Sequence, residues 1–435
     1  MDARTTALTV LIAARRQNGW SNSLLKEYIA RDRLDRRDAA FCSRLVYGVA
    51  QNEALLDWYL GKCLDKPAGK LQPVVLDILR LGAYQILLLD KIPAPAAINE
   101  AVEQTKKYAN VRASGLVNGV LRSLLRKKDS LGEPADPAIR YSHPKELVAL
   151  LRENVGEELI EPLLQSDNSV PPTIFQRNPL KAAAGEIEQE LTALGVKFER
   201  HPWLPDCWLV SGTGDVTKLP PFTEGRVYVQ DPAAKLALLA SGVEPGMRVL
   251  DCCAAPGGKS FAAAMQMENR GTIVSCDIHA HKTALIEKGA ERLGIGIIRA
   301  MQADACEYRT EWEEAFDAVL ADVPCSGLGT IRKKPDVRYK DLAQTARLPE
   351  VQRAILDNVC RYVRPGGVLL YSTCTILKRE NEAVAEGFLK DHPDFEAEAF
   401  AVPDGLELPN GGMATLLPCL HECDGFFICK LRKHA

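Results

Sequence analysis

The chain has 435 residues and a net charge of −3, with 54 Lys and Arg against 57 Asp and Glu. Its length calls for two or three domains, and 46% hydrophobic with 26% charged residues excludes a disordered or fibrous chain. No run approaches the roughly 18 apolar residues of a membrane span, residues 1–30 lack a signal-peptide pattern, and thirteen scattered cysteines fit free thiols in a reducing cytoplasm better than a disulfide framework.

The charge is unevenly distributed. Residues 1–140 carry 22 Lys and Arg against 15 Asp and Glu, and the remainder carries 32 against 42. A basic amino-terminal module on an acidic body is compatible with a phosphate-binding face. A chance excess on solvated helix surfaces is the plainer reading.

Residues 1–128 read as helical and make a first domain, 1–130. Leu116, Val117, Val120, Leu121, Leu124 and Leu125 recur on one helical face. Ile98, Val102 and Ala109 make a weaker stripe, and Lys91–Pro95 breaks the chain between two helices. Asp129–Pro137, with Gly132, Pro134 and Pro137, reads as a linker. Residues 140–222 mix helices near Pro144–Glu153 and Glu186–Leu194 with strand-like Cys207–Val210, a small α/β connector. The third domain, 223–435, alternates strands and helices. Its strands are expected at Met247–Cys253, Thr272–Asp277, Ile297–Gln302, Asp317–Ala321 and Gly367–Ser372, with Gly425–Leu431 as a last edge strand. Short apolar strands between amphipathic helices imply a parallel, doubly wound α/β sheet, which binds ligands beyond the carboxyl ends of its strands.

Several chemistry-bearing residues stand at those ends. The turn Ala254-Ala255-Pro256-Gly257-Gly258-Lys259-Ser260 follows the first strand and opens a helix. Its glycines let backbone N–H groups approach a ligand, and a helix N-terminus favours negative charge. Asp277 follows the second strand, 26 residues after Asp251, close to the spacing of a ribose-binding acid. Asp304 follows the third strand and Asp322 the fourth. The turn is neither G-x-G-x-x-G nor a P-loop, which disfavours nicotinamide cofactors and nucleoside triphosphates. Cys325, in Asp322-Val323-Pro324-Cys325-Ser326, and Cys374, in Thr373-Cys374-Thr375, each lie just past a strand. A single cytoplasmic cysteine is usually a small buried hydrophobe; two at strand ends in one crevice point to nucleophilic catalysis. Cys252-Cys253 reads as packing. Cys419, His421, Cys423 and Cys429 have a spacing that matches no zinc pattern, so no metal is expected. Arg332-Lys333-Lys334-Pro335-Asp336 and Gln176-Arg177-Asn178-Pro179 are polar clusters able to meet phosphate, or simply solvated loops.

From about residue 170 onward these motifs together resemble the Nol/Nop/Sun family of RNA cytosine-C5 methyltransferases. Ile98-Asn99-Glu100-Ala101-Val102-Glu103 and Leu116-Val117-Asn118-Gly119-Val120-Leu121 resemble the NusB module, an RNA-binding helical fold. The resemblance implies a Rossmann-like, S-adenosyl-L-methionine-dependent domain behind an all-α NusB-like domain. For the pairing it implies a 16S rRNA cytosine-C5 methyltransferase acting at cytosine 967, as a monomer. It assigns attack on C6 to Cys374 and release to Cys325, with Asp322 between methionine and cytosine and Lys259 paired to it. Asp277 would take the ribose, Asp304 the adenine edge, and Arg177, Asn178 and Arg332 the RNA. The chain departs from the family at Cys253, where many relatives have alanine, and at Val323 in the Pro-Cys motif; neither change removes a reacting group. Two rival readings share these residues: a tRNA cytosine methyltransferase, and a non-catalytic RNA-binding assembly or antitermination factor on a decayed fold. The retained thiols and acids argue against the second.

Overall fold

A computed structural model describes residues 2–16, 22–409 and 411–435, which divide into two units. The first comprises Met1–Asn168 with Lys334–Lys340, the second Ser169–Lys333 with Asp341–Ala435.

The first unit is helical. Pro73–Leu88 is its central helix, its core-facing Val75, Ile78, Leu79 and Ala83 buried. Val111–Lys127 buries Val117, Val120, Leu121 and Leu124, while Leu116 and Leu125 stay exposed. The apolar stripe is therefore narrower than the sequence suggests. Asn110 caps that helix, its side chain accepting from Ala113 N–H. This satisfies a backbone donor that the helix itself leaves unpaired. The expected connector at 140–222 is split: helices Lys145–Val155 and Glu157–Asp167 belong to this unit. So do residues 334–340, although they come from far along the chain. Arg338 is buried and donates to the carbonyl oxygens of Gln51 (3.2 Å) and Ser142 (3.1 Å) and to Asn168 Oδ1 (2.9 Å).

The second unit holds two sheets. Strands β1 (Thr173–Arg177), β2 (Lys197–Arg200), β3 (Cys207–Ser211) and β4 (Val227–Val229) form an antiparallel sheet in the order β2-β3-β1-β4. Phe175, Trp208 and Val210 pack there on Ile187 and Leu191 of the helix Ala184–Ala193. Then come β5 (Arg248–Asp251), β6 (Thr272–Asp277), β7 (Ile298–Gln302), β8 (Phe316–Asp322), β9 (Val363–Thr373), β10 (Phe395–Ala397), β11 (Met413–Leu416) and β12 (Phe426–Lys433). Among the described residues these eight make one sheet, ordered β7-β6-β5-β8-β9-β12-β10, with β11 also on β12.

Strands β5 to β9 pair in parallel. The order reverses between β5 and β8, so a crevice opens at their carboxyl ends. Period-two alternation sorts the side chains. Val249, Ile273, Ala318 and Leu370 face one helical layer; Leu250, Val274, Val319 and Leu369 face the other. Strand β12 is not the edge strand the sequence suggests. It lies between β9 and β10, antiparallel to both. Its buried run Phe426–Leu431 has no face suited to solvent, which is why an apolar stretch of this kind is driven inside.

Candidate active site

The glycine turn runs directly out of β5. Gly257 caps the helix Gly258–Gln266 with φ +110°, backbone that favours glycine, and a Cβ there would collide with the Phe261 ring. Lys259, on the first turn of that helix, is almost fully buried. Its Nζ pairs with Asp322 Oδ2 at 2.6 Å and lies 4.9 Å from the centre of the Phe426 ring. Asp322 ends β8 and accepts a second bond from Ser372 Oγ of β9 at 2.9 Å. A buried ammonium matched by a carboxylate avoids the cost of an isolated charge.

The two thiols meet. Cys325 Sγ and Cys374 Sγ are 3.2 Å apart, on loops that leave β8 and β9. Both are half-buried and neither forms a disulfide. The contact with Cys374 and then burial push the Cys325 thiol well up, helped by Asp322 and Glu380. The loop carrying Cys374 closes on two glycines: Gly329 N–H donates to the Cys374 carbonyl at 3.0 Å and Gly425 N–H to the Gly329 carbonyl at 2.8 Å. A side chain on Gly329 would strike the Gly425 carbonyl.

Asp277 ends β6 and is buried; its Oδ1 accepts from His279 N–H at 3.0 Å and faces Lys282 Nζ at 3.6 Å. Asp304 follows β7, its Oδ1 accepting from Cys306 N–H at 2.8 Å. Four acids and two thiols thus stand at the carboxyl ends of five adjacent parallel strands.

The RsmB/F family of 16S rRNA methyltransferases matches residues 238–432, and the NusB family matches residues 1–126. The probable ribosomal RNA small subunit methyltransferase B of Bacillus subtilis is 38% identical over 442 residues, covering 99% of this chain and 98% of that protein. The chain belongs to this rRNA methyltransferase family. Its Synechocystis relative of the same name is 35% identical over 450 residues, spanning all of both chains. A methyltransferase homologue from Pyrococcus horikoshii, solved by crystallography, is 28% identical with a TM-score of 0.59, over 68% of this chain and 98% of that one.

The three side chains expected to meet RNA differ in their surroundings. Asn178 is fully buried and gives its amide hydrogens to the carbonyls of Gly225 (2.8 Å) and Leu293 (2.9 Å). It fastens the four-stranded sheet to the larger domain and has nothing left for phosphate. Arg332 is 7% exposed and sits in a buried cluster with Asp231, Asp424 and Lys333. There it fastens the loop after Cys325 to the start of β12. Arg177 remains partly open, with one guanidinium nitrogen on Asp206 at 2.7 Å. Residues that the motifs did not single out complete the site: Ser372, Phe426, and the buried trio Gln352, Glu380 and Asn381. Only a polar Glu-Asn-Glu before a helix, at 380–382, signals the last pair in the sequence.

Below the glycine turn, Asp251 is wholly buried; its Oδ2 accepts from Ser260 Oγ at 2.7 Å, which also meets Ser275 Oγ at 2.7 Å. Burial raises its pKa to about 6, against the opposing effect of the Ser260 bond. Between pH 4 and 6 the unfolded chain loses this proton while the folded one keeps it, so the wild type loses stability as pH rises through that window. Asp251→Asn removes the titration. Thermal or urea unfolding should show its stability relative to wild type climbing by on the order of 2–3 kcal/mol from pH 4 to 7. A constant difference would show that Asp251 does not titrate there.

Proposed function

We propose that the protein methylates C5 of a cytosine in 16S rRNA, by resemblance cytosine 967, through a covalent Cys374–C6 adduct, with S-adenosyl-L-methionine as methyl donor. One observation carries this reading: two thiols 3.2 Å apart beside a Lys259-paired Asp322, in the crevice of a parallel sheet. The residues fit the cofactor. The side-chain-free Gly257–Gly258 edge and helix N-terminus suit its methionine carboxylate, Asp277 its ribose hydroxyls and Asp304 its adenine edge. When bound, S-adenosylmethionine supplies an electrophilic methyl group.

C5 of cytosine is too weak a nucleophile to take a methyl directly. Addition of the Cys374 thiolate at C6 moves the ring's electron pair onto C5, which would then bond to the methyl carbon as that carbon's bond to the donor's sulfonium sulfur breaks, the electron pair staying on sulfur. Loss of the C5 proton to a base reforms the C5–C6 double bond as the C6–S bond breaks, which restores the ring and the Cys374 thiolate. Cys325, in contact with that sulfur, assists release. Asp322, held by Lys259 and Ser372, is placed between methionine and cytosine. The ring must leave its stack to meet Sγ, so the target base is looped or flipped out.

The test is transfer of labelled methyl from S-adenosylmethionine to a 16S rRNA transcript and to tRNA, followed by nucleoside analysis. 5-Methylcytidine in 16S rRNA is the expected product. Label in tRNA, on another base, or nowhere would overturn the assignment.

The helical unit supports RNA binding through an exposed cationic row on its last long helix, with Arg112, Arg122, Arg126 and Lys127 all exposed. Replacing Arg122 and Arg126 by alanine should weaken rRNA binding and flatten its salt dependence. The log–log slope should fall by about 1.4, roughly 0.7 for each single-strand phosphate no longer neutralised. Filter binding across a salt series reads it, and an unchanged slope would place the RNA elsewhere.

A further inference from the structure

Two thiols acting in turn must be held against one another, yet each stands on a loop. A buried polar cluster grips both loops from below. Glu380 is fully buried. Its Oε2 accepts from Ser326 N–H at 2.9 Å and from Gln352 Nε2 at 3.0 Å, and Gln352 Nε2 also donates to the Pro324 carbonyl at 3.0 Å. The residues on either side of Cys325 are thereby fixed. Asn381, equally buried, does the same for Cys374. Its Oδ1 accepts from Thr373 Oγ1 at 2.6 Å and its Nδ2 donates to the Thr375 carbonyl at 3.0 Å. Ser326 Oγ donates to Thr375 Oγ1 at 2.8 Å, joining the two loops, and the Tyr371 hydroxyl of β9 donates to the Glu380 carbonyl.

Burying a carboxylate is costly even when it is bonded. Here Glu380 Oε1 has no hydrogen-bond partner among the described residues. A fold that needed only packing at this point would be better served by an apolar side chain of similar volume. We propose that Glu380 and Asn381 are a pair of positioning residues, one for each thiol, which hold Cys325 and Cys374 in the register that two-step chemistry requires. Adjacent positions in the sequence hold the two loops, so the clamp sets the distance between them and not merely the place of each. The carboxylate's charge also opposes ionisation of Cys325, in addition to the effects of the Cys374 contact and burial.

This inference rests on Cys374 adding and Cys325 releasing, so the experiment carries both thiol variants as controls. The full-length enzyme is assayed on a 16S rRNA transcript for kcat, for RNA KM, for S-adenosylhomocysteine affinity, and for protein–RNA adduct on denaturing gels. Glu380→Ala frees the releasing thiol. It should lower kcat on the order of 10²-fold, the effect of a small misplacement, and accumulate adduct as Cys325→Ala does. Asn381→Ala frees the attacking thiol and should lower kcat comparably with no adduct. KM and cofactor affinity should stay unchanged in both. Glu380→Gln, which keeps an acceptor for Ser326 N–H, should regain most of the lost kcat. If Glu380→Ala fails to fold, Gln352→Ala removes the bonds to the Pro324 carbonyl and to Glu380 Oε2 and should show the same adduct.

Identical phenotypes in the two alanine variants, or losses of kcat in proportion to cofactor affinity and melting temperature, would make the pair merely structural and overturn the proposal. Adduct in Cys325→Ala without any in Glu380→Ala or Gln352→Ala would sink the positioning pair and leave the thiol roles standing. No adduct in Cys325→Ala would remove the thiol roles, and the pair with them.

Discussion

Cys374→Ala will neither methylate RNA nor trap it, whereas Cys325→Ala will accumulate a protein–RNA adduct that survives denaturing electrophoresis. The asymmetry follows from the order of bonds. Without the Cys374 sulfur no C6–S bond forms, so C5 never becomes nucleophilic; losing an essential nucleophile costs on the order of 10⁴–10⁶ in kcat. Without Cys325 addition and methylation still proceed, and only release is slowed. The sulfurs are 3.2 Å apart, so either could reach C6 on distance alone, and proximity does not assign the roles. For Cys325 the contact with Cys374, burial, Asp322 and Glu380 all hold the proton on the thiol. A thiol kept protonated is a poor attacker. Adduct in Cys374→Ala and none in Cys325→Ala would exchange the roles. Full activity in both variants would remove covalent catalysis.

Asp277→Ala should weaken S-adenosylhomocysteine binding by about 1.5–3 kcal/mol for each charge-assisted hydrogen bond removed, roughly 10- to 150-fold in Kd. The carboxylate is buried at the end of β6, and His279 N–H and Lys282 both fall on Oδ1. Neither of these contacts uses Oδ2. Asp304 is less buried, and its alanine variant should lose less. Calorimetric titration of each folded variant measures the difference. Unchanged affinity in Asp277→Ala would move the ribose elsewhere.

Strand positions and their acids were legible from the sequence because each is a local signal. An apolar run closed by Asp251, Asp277 or Asp322, with helical periodicity between runs, needs no partner to be read. The glycine turn is legible for the same reason: Gly257 must take a backbone angle that other residues avoid. The two thiols could be matched to strand ends, but not to each other. Their contact depends on β8 and β9 being neighbours in the sheet, and pairing order is a property of the whole fold.

Other features had no local signature at all. The clusters holding Arg332 and Asn178 read as phosphate contacts or solvated loops, because the sequence shows no partner for their donors. Only the assembled fold supplies Asp231, Asp424 and the Gly225 and Leu293 carbonyls that take up their donors. Strand β12 looked terminal because it comes last in the chain, yet sheet order is set by which apolar faces need covering. The segment 334–340 belongs to the helical unit because Arg338 finds its acceptors at Gln51, Ser142 and Asn168, all far away in sequence. Glu380 and Asn381 lie just beyond Cys374 in the sequence, and their bonds run both to that loop and to the loop of Cys325. Periodicity, turn chemistry and residue type act over a few positions and can be read from the sequence. Which buried donor meets which acceptor depends on long-range packing, and only the tertiary structure decides it.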